Sequence, residues 1–326
     1  SGLSVGNTGK TMHINCPFCG EGKRRLYLYP DTEQYHCFHC GAHGNAVSLY
    51  ARRTGLSYAN AYHELEADRM LHFPLPNVPK TPEREPASIE KRDAVYRAML
   101  QLLPLSAEHH QNLLHRGLSE QKIRGNSYRT LADGKELRDS IAAQLSARFD
   151  LNGIPGFYFR DGSWRLCAYS GLLIPVRDAD GRIQGIQIRR DSAERMKYVW
   201  LSGAGRPCGT PARSWVHVTG NRAKATAVIT EGPLKGDAAS ALSGDTLFLC
   251  VPGVSAIKYL PETLKNLHLT AVYEAFDMDK LRNPQVVAAR KRLRQMIADC
   301  GLPCRTLLWN ETCNGIDDYL AAQKIC

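Results

Sequence analysis

ATAVITEGPLKG, residues 225–236, carries the punctuation that decides the architecture. Ala225–Thr230 is a short apolar run of strand length, Glu231 follows it, Gly232–Pro233 turns the chain, and a helical stretch begins at Leu234. The same alternation continues downstream. Strands are expected over Thr246–Val251, Leu269–Phe276 and Arg305–Trp309, and helices over Leu234–Leu242, Ser255–Leu260, Pro284–Cys300 and Asp317–Gln323. Strand and helix in turn imply a parallel sheet with crossover helices. In Pro284–Cys300, Val286, Val287, Leu293, Met296 and Ile297 share one face and Arg290, Lys291, Arg292 and Arg294 lie largely opposite, as in a helix covering a sheet.

The strand Leu269–Phe276 delivers Asp277-Met278-Asp279. Because parallel strands end along one edge, Glu231, Asp277 and Asp279 are expected to converge there. Residues two apart on an extended chain point the same way, so Asp277 and Asp279 suit one metal cluster. Carboxylates without cysteine partners favour Mg²⁺ or Mn²⁺. Two such ions, about 4 Å apart, can clamp the attacking and leaving oxygens of a phosphoryl transfer. Glu-Gly and Asp-x-Asp are common pairs and strand-end acids are often solvent-facing caps. Their order within a βα repeat is what gives them meaning.

Near the other end, Cys16-Pro-Phe-Cys19-Gly and Cys37-Phe-His-Cys40-Gly are two knuckles separated by 17 residues. Each Cys-x-x-Cys turn aims two thiolates at one ion, and two turns complete the tetrahedral sulfur shell of one structural zinc. Arg25–Tyr29 and Gln34–Cys37 are expected to form a hairpin about Pro30–Glu33. His36, His39 and His43 are competing ligands that four thiolates leave unneeded. Lys23, Arg24 and Arg25 interleave with Tyr27, Tyr29, Tyr35 and Phe38, a mix that suits phosphates and stacked bases or simply covers a small core.

The 326 residues imply two or three domains, and 43% hydrophobic with 23% charged residues is ordinary globular usage. No apolar run is long enough for a membrane span, and an odd count of 11 cysteines with two Cys-x-x-Cys pairs points to metal and a reduced, cytoplasmic setting. Ser1–Lys10 is not a signal peptide, and a first residue other than Met is expected of a cloning remnant or an excised piece of a longer protein. The net charge of +10 is unevenly spread: residues 80–225 carry 24 basic and 15 acidic side chains, while residues 226–326 carry 11 of each. Such a cationic middle segment suits a polyphosphate partner, or is merely a solvated surface.

FPLPNVPKTPEREP, residues 73–86, is too rich in proline for helix or central strand and reads as a tether, about 40 Å long in polyproline geometry. The expected organisation is therefore a zinc-ribbon domain over 1–72, a linker over 73–88, a basic segment over 89–224 and an α/β domain over 225–326. Ile89–Leu103 and Ser106–Leu114 are expected helices; Gly153–Phe159, Leu172–Asp178 and Gly181–Arg189 are expected strands, the last two joined by a tight turn at Asp178–Gly181.

Gly9–Leu65 resembles the zinc-binding domain of bacterial and phage DNA primases: YHCFHCGAHGN, Tyr35–Asn45, and GLSYANA, Gly55–Ala61, follow that family's pattern closely. The bacterial enzymes usually place His where this chain has Cys19. Residues 225–323 resemble the Toprim domain, a Rossmann-like parallel sheet shared by primases, topoisomerases and some nucleases. The resemblance implies that Glu231 is the acid–base and metal-facing residue and that Asp277 and Asp279 are metal ligands. It further implies that Asp317 and Asp318 close the site, although either is also a candidate N-cap. Many primases carry Asp four residues after the Glu, where this chain has Lys235, which then faces a nucleotide phosphate. Gly171–Arg190 with Lys197–Ser202 resembles the strands before Toprim, implying that Arg177, Arg189, Arg190, Lys197 and Tyr198 line a template and nucleotide groove.

The fold expected is thus multidomain α+β and α/β. The activity implied is template-directed synthesis of short RNA primers on single-stranded DNA, by a chain of phage or mobile-element origin. Its implied partners are ribonucleoside triphosphates and a replicative helicase, separate or fused beyond the chain end, since no Walker motif is present. A non-catalytic nucleic-acid-binding module and a Toprim nuclease are the alternatives.

Overall fold

The computed structural model describes residues 6–8, 11–20, 22–30, 33–69, 84–192, 196–253, 256–278, 284–310 and 312–323. The chain divides into two compact units, Ser1–Thr81 and Pro82–Cys326.

The first unit is an antiparallel meander of β1 (Gly6–Thr8), β2 (Thr11–Ile14), β3 (Leu26–Tyr29), β4 (Gln34–Cys37) and β5 (His43–Asn45), followed by α1 (Ala46–Thr54) and α2 (Tyr58–Arg69). The expected hairpin is β3–β4, whose register sets Leu26 opposite Cys37. Its core is Ile14, Cys16, Leu26, Tyr35 and Cys37, too few apolar side chains to order a domain without help. Asn45 caps α1 by accepting from the Ser48 N–H at 2.9 Å, and Gly55, at φ 76°, ends it in the left-handed conformation that glycine adopts freely.

The second unit opens with α3 (Ile89–Gln101), α4 (Ala107–His115) and α5 (Glu120–Asn126), each started by a serine: Ser88, Ser106 and Ser119 accept from the backbone N–H three residues on. There follow β6 (Arg129–Leu131), α6 (Lys135–Ser146), a hairpin of β7 (Phe157–Arg160) and β8 (Ser163–Leu166), then β9 (Gly171–Arg177), β10 (Ile183–Arg190) and β11 (Tyr198–Trp200). Strands β11, β10, β9 and β6 form an antiparallel sheet in that order, and Gly181 at φ 84° makes the tight turn between β9 and β10. Residues 84–88, the end of the expected linker, are tied to this unit: the Ala87 N–H donates to the Gly153 carbonyl at 2.8 Å and Arg84 donates to Asn152 Oδ1 at 3.0 Å. The rest of the linker, residues 73–83, lies outside the described residues.

The C-terminal part contains β12 (His217–Gly220), β13 (Thr226–Glu231), α7 (Pro233–Ser243), β14 (Leu247–Val251), α8 (Leu260–Lys265), β15 (Ala271–Glu274), α9 (Pro284–Asp299), β16 (Cys304–Thr306) and α10 (Ile316–Gln323). The sheet order is β12-β14-β13-β15-β16, with β14, β13, β15 and β16 parallel. Strand β12 pairs antiparallel with β14 and adds an edge that the alternating pattern did not announce. Every residue of β14, LFLCV, is buried, as a strand covered on both faces requires. Helix α7 packs so tightly on it that a Cβ at Gly236 would collide with Cys250 Sγ. The helix expected over Ser255–Leu260 instead begins at Leu260, and Ser255 lies outside the described residues.

Helix α9 departs from its expected faces. Leu293 and Ile297 are buried, but Val287 is 49% exposed. Arg290 and Arg294 both reach the buried Glu274 carboxylate at the end of β15, which Thr306 also donates to at 2.6 Å. The periodicity misses this because long arginine stems can lie along an apolar boundary while their heads find a buried acid.

Candidate active site and zinc centre

In the first unit the sulfurs of Cys16, Cys19, Cys37 and Cys40 all lie within 4.8 Å of one another. The Gly20 N–H donates to the Cys16 carbonyl and the Gly41 N–H to the Cys37 carbonyl, closing both knuckles through glycines at φ 67° and 72°. Four thiolates leave no open position, so this is a structural zinc centre. His43 Nδ1 pairs with the Gly41 carbonyl at 2.9 Å, and the four-cysteine cluster includes no histidine. The aromatic residues differ in burial. Tyr35 is 2% exposed and belongs to the core; Phe38 is 60% exposed and stands against the rings of Tyr27 and His36.

In the second unit the acidic site forms where the parallel strands end. Beyond β13 and β15 the Ala275 N–H donates to the Ile229 carbonyl at 2.8 Å, and the Gly232 N–H to that of Val251 at 2.8 Å. Glu231 and Asp277 are thereby delivered to one edge, Glu231 partly exposed and Asp277 buried. The Met278 N–H donates to the Asn314 carbonyl at 3.0 Å, fastening the segment after β15 to the lead-in of α10. Asp279 lies outside the described residues.

The pair Asp317–Asp318 splits. Asp318 is exposed and accepts from the Gly315 N–H at 3.1 Å, the reciprocal bond of a capping box, so it starts α10. Asp317 is buried, its Oδ1 has no hydrogen-bond partner among the described residues, and Arg116 Nη1 stands 3.8 Å from its Oδ2. Burial pushes its carboxyl above the usual range; Lys235 opposes the rise and Asp318 adds to it.

Lys235, in the first turn of α7, forms an ion pair with Asp277 Oδ1. A Cβ at Gly315 would collide with Asp317 Oδ1 and lie 3.2 Å from the Lys235 ammonium, so the glycine is what lets these groups approach. Glu231 and Lys235, four residues apart, are marked by the sequence pattern; Arg116 carries no such signal.

Asp237 faces away into the protein. It accepts from His217 Nε2 at 3.1 Å and Thr219 Oγ1 at 2.7 Å on β12, and from the Tyr128 hydroxyl. His217 Nδ1 in turn accepts the Arg177 N–H at 2.9 Å, which fixes its tautomer with the proton on Nε2. Burial alone would raise the Asp237 carboxyl, but contact with His217 and the bonds from Tyr128 and Thr219 outweigh it and hold it low.

The residues expected to line a groove are differently placed. The Arg177 guanidinium donates to the Asn126 carbonyl at 2.7 Å and is committed within the protein. Arg189 stands opposite Tyr198 in the β10–β11 ladder, on one face of the sheet, and its buried Nε has no partner among the described residues. Arg190 stacks on Tyr169 at 4.4 Å, while Lys197 is exposed and Tyr198 is on the surface.

Residues 3–78 match the family profile described as the CHC2 zinc finger, and residues 215–325 match one described as a domain of unknown function, DUF3854. A DNA primase of Escherichia coli (strain K12) is 31% identical over 213 residues, 59% of this chain and 34% of that protein. The chain is similar to bacterial DNA primases. A primase of Thermotoga maritima agrees over 198 residues at 22% identity, 60% of this chain and 35% of the relative. The chain therefore spans about a third of the length of these curated primases. Among solved structures, the zinc-binding and RNA polymerase domains of the Aquifex aeolicus primase superpose with a TM-score of 0.56 at 17% identity, over 98% of this chain and 77% of that one. The E. coli primase catalytic core gives 0.53 at 15% identity, over 72% and 75%. The fold is thus that of a primase zinc-binding domain and a mixed α and β primase polymerase domain. Where the zinc-finger family's usual pattern has histidine, Cys19 completes an all-sulfur set. No helix of the described residues is long and apolar enough to cross a membrane.

Proposed function

We propose that this chain is the template-reading and polymerising part of a DNA primase, joining ribonucleotides into short RNA primers on single-stranded DNA. The observation that carries the reading is the meeting of Asp277, Lys235 and Asp317 beside the Glu231 strand end, in a chain that also holds a primase-type zinc ribbon. The C-terminal sheet is read as a Toprim domain, and its donor set suits hard cations: carboxylate oxygens, one of them the buried Asp317 Oδ1, unpartnered among the described residues. Glu231, Asp277, Asp279 and Asp317 would hold Mg²⁺ or Mn²⁺, while Asp318, expected among them, caps α10 instead. Bound there, such ions neutralise triphosphate charge and ease attack by a 3′-hydroxyl. In that attack O3′ bonds to the α-phosphorus, the bond to the β-phosphate bridging oxygen breaks, and pyrophosphate leaves.

Glu231 is assigned the 3′-hydroxyl proton, because it sits at the strand edge with partial access to solvent. Arg189, Arg190, Lys197 and Tyr198 are assigned to template and nucleotide phosphates, where a guanidinium grips with two hydrogen bonds. Phe38, with Lys23, Arg24 and Arg25 exposed near it in sequence, is assigned to an unstacked template base. A similar fold, with a TM-score of 0.52, is that of a DnaG primase catalytic domain bound to ssDNA, which supports DNA as the partner. A helicase is the further partner proposed.

The test is incubation of the whole chain with single-stranded DNA, labelled ribonucleotides and Mg²⁺ or Mn²⁺. Short labelled RNA is expected; none, with either metal and across varied templates, overturns the reading. One observation favours a second reading, a non-catalytic DNA-binding module: Lys235 occupies Asp277. DNA binding without synthesis in the same assay would select it.

A further inference from the structure

We infer that the Lys235 ammonium, paired with Asp277, is a built-in cation filling one of the two ion positions, so that the acidic site takes a single divalent ion. This deepens the reading above and rests on it.

Lys235 lies in the first turn of α7, fixed there by the Gly236 N–H donating to the Gly232 carbonyl at 3.1 Å. A lysine near a helix start ordinarily keeps its head in water; this side chain is only 21% exposed and turns inward onto Asp277, itself 10% exposed. Ordering so long a side chain is entropically costly, so it happens where a fixed charge waits. On its other side Gly315 removes the Cβ that would stand 3.2 Å from the ammonium, leaving the way open to Asp317. The Asp317 Oδ1 there is buried without a hydrogen-bond partner among the described residues, while Arg116 approaches its other oxygen. The ammonium is therefore held by the Asp277 carboxylate on the segment after β15, with Asp317 of α10 near enough to feel its charge.

An ammonium in contact with Asp277 Oδ1 excludes a divalent ion from that oxygen, since like charges repel strongly at a buried site. The single ion is assigned to Glu231 and the second Asp277 oxygen. Unlike a metal, the ammonium cannot be removed by chelation, and its three N–H groups can donate to triphosphate oxygens.

The experiment is a titration of the zinc-loaded whole chain with MnCl₂, counting bound Mn²⁺ from the paramagnetic resonance of the free ion. Parent protein, Lys235→Asp, Lys235→Met and Asp277→Ala are compared, with zinc content and thermal melting confirming the fold of each. The parent should bind one Mn²⁺ that Asp277→Ala loses. Lys235→Asp should gain a second, and Lys235→Met, which keeps the length and removes the charge, should gain it with weaker affinity. Two ions in the parent, both lost in Asp277→Ala, would show that the ammonium yields its place, and the inference falls while the metal site stands. One ion in the parent and in both Lys235 variants would overturn it equally. No Mn²⁺ above the Asp277→Ala background in any form overturns the carboxylate–metal reading and this inference together.

Discussion

Asp237 lies two residues beyond Lys235 on the same helix and has the opposite task. Its carboxylate collects hydrogen bonds from Tyr128, His217 and Thr219, drawn from the α5–β6 connection and from β12, and so holds α7 against both. Replacing it with Ala leaves buried donors without an acceptor, and unfolding in urea should show a loss of about 3 kcal/mol. Because the carboxyl is held low in the folded protein, its contribution is present at every pH above the unfolded value, about 3.9, and fades as pH falls below it. The parent should therefore lose stability below about pH 4 more steeply than Asp237→Asn; parallel profiles would show that the network does not hold the charge. In the sequence Asp237 is visible only as an acid near a motif, since its three partners lie on elements whose packing no local pattern reports. Arg177 escapes a sequence reading for the same reason: its type suits phosphate, but the Asn126 carbonyl claims it.

At the scale of elements, the zinc ribbon is the most legible part, because ligand spacing is local and glycine at 20 and 41 marks the turns. Its main apolar cluster holds five buried residues among those described, so metal binding and folding are one event. Cys37→Ser should release the zinc measured by atomic absorption and unfold the ribbon; retained zinc would refute the ligand set. The parallel strands are legible as well, from their apolar runs, whereas β12 and α8 are not, being short and set by tertiary pairing. Helix α9 shows where periodicity misleads. With Arg290 and Arg294 turned to Glu274, Glu274→Ala should strand two guanidinium groups and lower the thermal midpoint, while Arg292→Ala should leave it unchanged. Equal effects would restore the simple amphipathic reading.

For the molecule as a whole, the sequence separates a zinc-bearing unit from one proposed to be catalytic. The structure divides the chain at Thr81–Pro82. The proposed tether accordingly narrows to residues 73–83, since residues 84–88 are bonded to the second unit; limited proteolysis should cut within it and spare Glu85 to Glu90. Template binding should weaken with salt. Arg189→Ala should flatten the salt slope by about 0.7 for each phosphate it no longer neutralises, and an unchanged slope would place the groove elsewhere. What sequence alone leaves open is how the acidic residues divide their work. It groups Asp317 with Asp318, and only packing shows that one is buried while the other caps a helix. The most direct test of the account is primer synthesis on single-stranded DNA by Asp277→Ala beside the parent, with DNA affinity and thermal melting measured on the same preparations. Synthesis should fall by orders of magnitude with folding and DNA binding retained; an Asp277→Ala protein that makes primers at the parent rate would place the catalytic site elsewhere.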